Sequence, residues 1–276
     1  MLEIAALMMI ASGAIHAAVN AVLKSGDDKL ASRALIDLSG GLLVLPAIFF
    51  FPPPYGAWGW LLGSLIVHAV YFLALVRAFE VADMSATYPV MRGTAPVFAA
   101  FGAVVFLGDA ITFPVAIGMG LVTSGILLSA IGRNLTREAL GYSLLTGLAV
   151  ATYTVLDAGG VRNAPTPYSY IAWAFFVLGG VIGAAFGAWR GRAFIAYAHR
   201  NWKSCVAAGA AGVVSYGLAM LAYSVGELPR LAPLRESSIL FALLIATLFL
   251  GERPDRLKIA GGIVILGGVA VLLLSR

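Results

Sequence analysis

Apolar runs of close to twenty residues follow one another along this chain with only short polar breaks, and that succession constrains the fold more than any single motif. A helix needs roughly 20 mainly apolar residues to cross the hydrocarbon layer of a bilayer. Runs bounded by charge, proline or glycine lie at about 2–24, 33–51, 58–80, 85–107, 111–131, 139–158, 167–189, 203–225, 230–250 and 256–274. They are too long and unbroken for barrel strands, which would show segments of about ten alternating residues. With 61% of its 276 residues hydrophobic and only 11% charged, the chain has no stretch left over for a soluble domain. The expectation is an all-α integral membrane protein of ten transmembrane helices, with residues 1–276 forming a single membrane domain. Met1-Leu2-Glu3 places an acid where a secretory signal would carry a base, so the first run is read as a retained span. Cys205 is the sole cysteine, which excludes an intrachain disulfide.

One of these runs is written twice. Shifted by about 143 positions, residues 231–252 (LAPLRESSILFALLIATLFLGE) fall on residues 88–109 (YPVMRGTAPVFAAFGAVVFLGD). Arg92 meets Arg235, Phe98 meets Phe241, Ala103 meets Ala246, Phe106-Leu107-Gly108 meets Phe249-Leu250-Gly251, and Asp109 meets Glu252. The match continues through Gly118/Gly261 and Gly125/Gly268. Residues 1–134 and 135–276 are therefore predicted as two repeats of five helices each. Five is odd, so the second copy enters the membrane from the opposite side. That gives an inverted repeat about an axis in the membrane plane, an architecture found mainly in transporters. Gly118, Gly120 and the small residues that follow Gly261 let helix backbones approach closely, either within the chain or as a dimer face. Monomer and homodimer both remain open.

Orientation follows from the basic residues in the short loops. Lys24, Lys29, Arg33, Arg77, Arg133, Arg137, Arg190, Arg192, Arg200, Lys203, Arg253, Arg256 and Lys258 fall on one side, against Arg162, Arg230 and Arg276 on the other. By the positive-inside rule the first group is cytoplasmic and both termini lie outside. The net charge of +5 is thus explained by the membrane, without nucleic acid.

Two arginines in mid-span need a reason. Each costs about 2.5–3.5 kcal/mol at a helix centre, so the pair costs roughly 5–7, comparable to the lower end of a whole domain's stability. Residues three and four away from Arg92 are Tyr88, Pro89, Ala95 and Pro96, none acidic, and Glu236 follows Arg235 directly, about a quarter-turn around the helix. Each arginine is expected to face a lumen, where water, a carboxylate from another helix or a substrate anion offsets its charge; snorkelling to the interface is the alternative. Pro89 and Pro96 beside Arg92, and Pro229 and Pro233 beside Arg235 with Ser237 and Ser238 after it, interrupt backbone bonding where a cavity can satisfy the freed groups. The candidate substrate-binding residues are Arg92, Arg235, Tyr88, His16, Asn20, Tyr71, Tyr153, Asp157, Trp173, Tyr216 and Ser237. His16/Asn20 and Tyr153/Asp157 are each four apart on one helical face, and the alternative for such pairs is interhelical hydrogen bonding. Asp37 is the candidate for proton coupling or for balancing an arginine. His68 reads as a packing residue and His199 as solvated in a polar loop.

No phosphate-binding glycine loop, metal-spaced His/Cys cluster or nucleophile elbow occurs, so no enzyme activity, cofactor or metal is expected. The repeated segments, each proline-containing, ending in Leu-Gly-Asp or Leu-Gly-Glu and followed by a glycine-rich span, resemble the EamA-type branch of the drug/metabolite transporter superfamily. TYTVLDAGGVR and PYSYIAW are similar to second-repeat segments of its bacterial members. The resemblance covers essentially the full length. It implies ten spans in two five-span repeats around a central cavity lined by spans one, three, four, six, eight and nine. Plastid relatives that carry sugar phosphates hold phosphate with basic residues on the fourth and ninth spans, an arrangement that Arg92 and Arg235 resemble by location. Amino-acid exporters of the family have a more neutral cavity, and characterised members are usually placed with both termini cytoplasmic, the reverse of the charge-based placement. The expected function is secondary active transport of a small polar metabolite, anionic or zwitterionic, across a bacterial inner membrane by alternating access. The partners expected are that metabolite, the lipid bilayer and a coupling proton. Export of amino acids or amphipathic drugs and a lipid-handling role are the alternatives.

Overall fold

The computed structural model describes residues 2–25, 27–82, 84–132, 135–249 and 255–275. Arg133, Arg253, Arg276 and the second Leu-Gly-acid motif, Leu250-Gly251-Glu252, lie outside the described residues. The rest is helical: α1 (Leu2–Ser25), α2 (Lys29–Val44) with a 3₁₀ turn over Leu45–Phe49, α3 (Trp58–Val81), α4 (Met84–Leu107), α5 (Phe113–Leu128), α6 (Arg137–Asn163), α7 (Pro167–Arg190), α8 (Arg192–Val225), α9 (Leu228–Arg235), α10 (Ser238–Phe249) and α11 (Arg256–Leu274). Counting α9 and α10 as one, nine helical segments among the described residues are long and apolar enough to cross a membrane. The remaining one, α5, has 16 residues and so spans about 24 Å.

Side-chain oxygens start several of these helices by taking up otherwise unpaired backbone N–H groups. Asp28 accepts from Ala31, Thr136 from Ala139, Thr166 from Ser169, and Asp255 from Lys258. Between α2 and α3, Pro52-Pro53-Pro54-Tyr55-Gly56 forms the expected tight turn, with Gly56 at φ +82°.

Packing is inverted relative to a soluble protein. Ala5, Ala34, Ala78, Ala100 and Ala103 are fully buried, while Ile66, Phe101, Phe106 and Ile263 are turned outward and exposed. Small residues inside let the backbones close up, and the large apolar ones face the lipid. The principal helix pairs are α1 with α8, α3 with α6, α2 with α7 and α8, α4 with α6, α1 with α9 and α10, and α5 with α11. The last pair explains the glycine stripes. A Cβ on Gly118 would sit 3.1 Å from the Gly268 carbonyl, one on Gly268 2.7 Å from the Gly118 carbonyl, and one on Gly125 2.6 Å from the Gly261 carbonyl. Gly118, Gly125, Gly261 and Gly268 are thus covered within the chain, whereas Gly120 and Gly267 face away from the seam and a Cβ on either would meet nothing.

Two helices depart from the sequence reading. The span expected as one helix over 230–250 breaks at Glu236–Ser237 into α9 and α10. Across the break Glu236 N–H donates to Pro233 O at 3.1 Å, Ser237 N–H to Leu234 O at 3.1 Å and Ile239 N–H to Glu236 O at 3.0 Å, so the chain tightens to 3₁₀-type bonding. Charge suits the break: Arg235 ends α9, where the helix dipole favours a cation, and Glu236 precedes α10, where it favours an anion. Its counterpart α4 runs through Pro89 and Pro96 without a break. The second departure is α8. Its 34 residues extend about 51 Å, so residues 192–203, expected as a loop, form a helical extension whose Phe194 and Tyr197 pack with Leu35, Ile36 and Phe186. His199 is exposed on that helix.

Candidate functional site

A cavity of about 230 Å³ lies between the two halves. Its wall is drawn from the C-terminal parts of α1 and α3 (His16, Asn20; His68, Tyr71), the N-terminal parts of α2 and α4 (Arg33, Asp37; Tyr88, Arg92), and Tyr153 of α6, Phe175 of α7, Tyr216 of α8 and Arg235 at the end of α9. These positions displace the cavity toward the end of the bundle that carries Arg77 and Arg190.

Three arginines reach this wall, and each is held differently. Arg33 Nε donates to Asp37 Oδ2 at 2.8 Å, four residues on along α2. Arg92 Nε lies 3.0 Å from Glu236 Oε2, with both side chains almost wholly buried. The contact is an ion pair without hydrogen-bond alignment, and Arg92 Nη2 donates instead to Ser238 Oγ at 3.2 Å. Arg235 has neutral partners: its Nε donates to Ser12 Oγ at 3.2 Å and its guanidinium lies 4.9 Å from the centre of the Tyr216 ring. Among the described residues no acidic side chain pairs with Arg235.

Backbone approach sets where the arginines sit. At Gly13 of α1 a Cβ would lie 2.9 Å from Ser237 Oγ and 3.0 Å from the Arg235 carbonyl, so α1 fits against the α9–α10 break only because that residue is glycine. Gly147 of α6 meets α4 in the same way, with Thr94 Oγ1 nearest and the Met91 carbonyl at 3.0 Å.

Aromatic rings form the rest of the wall. His68 donates from Nδ1 to the Ser64 carbonyl at 2.8 Å, fixing that tautomer, and stacks on Tyr153 at 4.0 Å between centroids. Tyr71 and Tyr216 meet Tyr153 edge-on at 5.7 and 6.3 Å. Asn20 Nδ2 donates to the Tyr88 hydroxyl at 3.3 Å, joining α1 to α4.

Of the sequence candidates, the structure brings His16, Asn20, Asp37, Tyr71, Tyr88, Arg92, Tyr153, Tyr216 and Arg235 to one cavity. Asp157, Trp173 and Ser237 do not line it. Asp157 is fully buried behind the wall, where it accepts hydrogen bonds from Tyr216 at 2.6 Å and Tyr170 at 2.9 Å. Trp173 packs edge-on against Trp58 and Phe176. Ser237 is buried in the break against Gly13. Asp37 balances Arg33 rather than either repeated arginine. Arg33, His68 and Glu236 are residues that sequence reasoning missed; His68, expected to serve packing, stands on the cavity wall. Arg33 stands at the edge of an apolar run and so reads as a loop residue, although its i, i+4 spacing to Asp37 is the signal of a helical pair.

The opposite end of the bundle is closed by a charged clasp. Arg162, at the end of α6, donates from Nη1 to Asp109 Oδ1 at 2.6 Å and from Nη2 to Asp109 Oδ2 at 3.0 Å. It also donates to the Tyr223 carbonyl at 2.8 Å and the Gly226 carbonyl at 2.9 Å, while Leu228 N–H donates to Asp109 at 2.8 Å. Five hydrogen bonds thus tie the end of α4, the end of α6 and the α8–α9 junction together. Met220, the last cavity residue on α8, lies one turn before Tyr223.

Comparison with known proteins agrees with this architecture. The sequence model of the EamA-like transporter family matches residues 138–274. A solved crystal structure is similar to this chain with a TM-score of 0.71 at 17% sequence identity, covering 98% of this chain and 95% of that one. At that identity the likeness is one of fold. No curated protein matches the sequence.

Proposed function

Because the chain belongs to the EamA-like transporter family and is a multi-pass membrane transporter, we propose that it is a secondary carrier for a small anionic metabolite, working by alternating access in a bacterial inner membrane. The observation that carries this reading is Arg235: a buried guanidinium on the cavity wall, held by a serine and a tyrosine ring and balanced by no carboxylate among the described residues. A buried charge needs a counter-charge, and an anionic solute supplies it. Guanidinium groups recognise carboxylate and phosphate through paired hydrogen bonds, which suits either class.

Alternating access draws support from three features. Most of the larger helix pairings interchange or map onto themselves when the five helices of residues 1–134 are exchanged with those of 135–276, α1 on α8 becoming α6 on α3 and α4 on α6 becoming α9–α10 on α1, whereas α2 lies on α8 far more extensively than α7 does on α3. The glycine contacts follow the same exchange, since Gly13 against Arg235 and Ser237 corresponds to Gly147 against Met91 and Thr94. This is the signature expected of two inverted repeats. Finally, the cavity lies toward one end while the Arg162–Asp109 clasp closes the other, as in one of two mirrored states. A helix broken beside the substrate is common in such carriers.

A second reading, export of a zwitterionic or amphipathic solute, draws on the ring cluster of His68, Tyr71, Tyr153 and Tyr216. Counterflow in liposomes containing the purified protein separates the two, using a panel of anionic, zwitterionic and cationic metabolites with Arg235→Gln and Arg92→Gln alongside. The expected result is exchange confined to anions and at least a tenfold loss in Arg235→Gln, equivalent to about 1.4 kcal/mol. Anion exchange at the normal rate in both variants would sink the proposal.

A further inference from the structure

Three arginines stand on the cavity wall, and among the described residues two of them are paired with a carboxylate, Arg33 with Asp37 on the wall itself and Arg92 with Glu236, which does not line it. Arg33 is neutralised by Asp37 at 2.8 Å on the same helix. Arg92 is neutralised by Glu236 at 3.0 Å, reached from the other half of the chain. The side chains of that second pair are 10% and 6% exposed, so water cannot replace either partner cheaply. Arg235 alone has neutral partners, Ser12 and the Tyr216 ring. Asp157, the acid nearest behind Tyr216, is already occupied by two tyrosine hydroxyls.

We infer that Glu236 is a specificity-determining residue: by holding Arg92 it limits the cavity to ligands with one negative charge, anchored on Arg235. The inference rests on the anion-carrier reading of the same cavity and adds the charge number of the substrate. The α9–α10 break is what makes it possible. In a tightened turn, adjacent residues Arg235 and Glu236 serve different partners, one the cavity and the other Arg92 of α4. A dianion brought to Arg235 would present its second charge to an arginine that is already paired.

The test uses two size-matched pairs that differ by one charge: succinamate with succinate, and phthalamate with phthalate. Ligand-induced shifts in the thermal unfolding midpoint and counterflow in liposomes are read at neutral pH. Wild-type protein is expected to favour the monoanion of each pair by tenfold or more. Glu236→Gln, which frees Arg92, is expected to swing the preference at least tenfold toward the dianion, while Glu236→Asp keeps the wild-type order. The double variant Arg92→Gln/Glu236→Gln removes both charges and is expected to restore the monoanion preference, which a mere loss of packing would not do. If Glu236→Gln does not fold, Asp37→Asn frees Arg33 on the facing wall and raises the charge count by the same amount; dianion preference there supports the inference, and an unchanged preference overturns it. A ratio in Glu236→Gln within twofold of wild type overturns it as well. If wild-type protein takes monoanions and Glu236→Gln changes nothing, only this inference fails. If wild-type protein responds to no member of either pair, the anion reading falls and this inference falls with it.

Discussion

Replacing Asp109 by Asn tests whether the clasp opposite the cavity is a gate. The substitution keeps shape and removes charge. Asp109 accepts two hydrogen bonds from Arg162 and one from Leu228 N–H; the amide that replaces it keeps one acceptor oxygen and turns its NH₂ group toward a guanidinium. Two charge-assisted bonds at about 1.5 kcal/mol net each give roughly 3 kcal/mol, the lower end of what loss of one partner costs a buried pair. With the side chains 8% and 22% exposed, solvent screening takes little from that figure. Arg162 retains the Tyr223 and Gly226 carbonyls, so the fold is expected to survive. If the clasp forms only when this end is closed, the loss shifts the equilibrium about 150-fold toward the state open at this end. Spin labels at Ile111 and Val225, both exposed at the clasp end, report the change in a Cys205→Ser background. The expected result is a new, longer distance component in Asp109→Asn. An unchanged distance distribution with a lowered unfolding temperature would refute the reasoning and make the clasp a static brace.

Other perturbations discriminate further. Gly125→Leu drives a side chain into the Gly261 carbonyl and is expected to lower the unfolding midpoint of the detergent-solubilised protein, by several kcal/mol in stability terms, without changing its size on gel filtration; a change of oligomeric state instead would return the stripe to a dimer face. Tyr216→Phe removes one of the two hydroxyls on Asp157 while keeping the ring beneath Arg235, so solute affinity is expected to change less than fivefold while thermal stability falls by about 1–3 kcal/mol; the opposite pattern would place the hydroxyl on the solute. Gly13→Val meets Ser237 and the Arg235 carbonyl and is expected to abolish transport by displacing α1 from the break, measured as lost counterflow in protein that still reconstitutes. His199→Cys in a Cys205→Ser background is expected to react with membrane-impermeant maleimide only after the cells are opened, since it lies on the cation-rich end; labelling of intact cells would invert the topology.

How far the sequence could be read depended on distance along the chain. The spans were visible because each one answers to a local requirement, about twenty apolar residues, and the glycine contacts of α5 and α11 could be anticipated from spacing alone. The Arg92–Glu236 pair could not, because its members are far apart in sequence and Glu236 was judged on a continuous helix, where it would point away from Arg235's face. Hydropathy averaged over a whole span does not register a helix that tightens for one turn, so the break at the polar run Arg235-Glu236-Ser237-Ser238 was masked by the strongly apolar residues of α10 that follow it. The helical extension of α8 was missed for the converse reason: Arg192, Arg200 and Lys203 look like a loop when helix is sought only inside the bilayer. Asp157 shows the limit of face arguments. Its four-residue spacing to Tyr153 holds, yet two tyrosine hydroxyls draw it behind the wall.

The α5–α11 seam also has a consequence in time. The glycines of α5 find their cover on a helix that is synthesised about 146 residues later, which at 5–20 residues per second is a wait of roughly 7–30 s. Throughout that interval α5 lies in the bilayer with a bare backbone groove. Biogenesis of this protein therefore passes through an obligatory intermediate that is completed only when its last helix is inserted, and a chain truncated before residue 256 would leave that groove open to any small-faced neighbour.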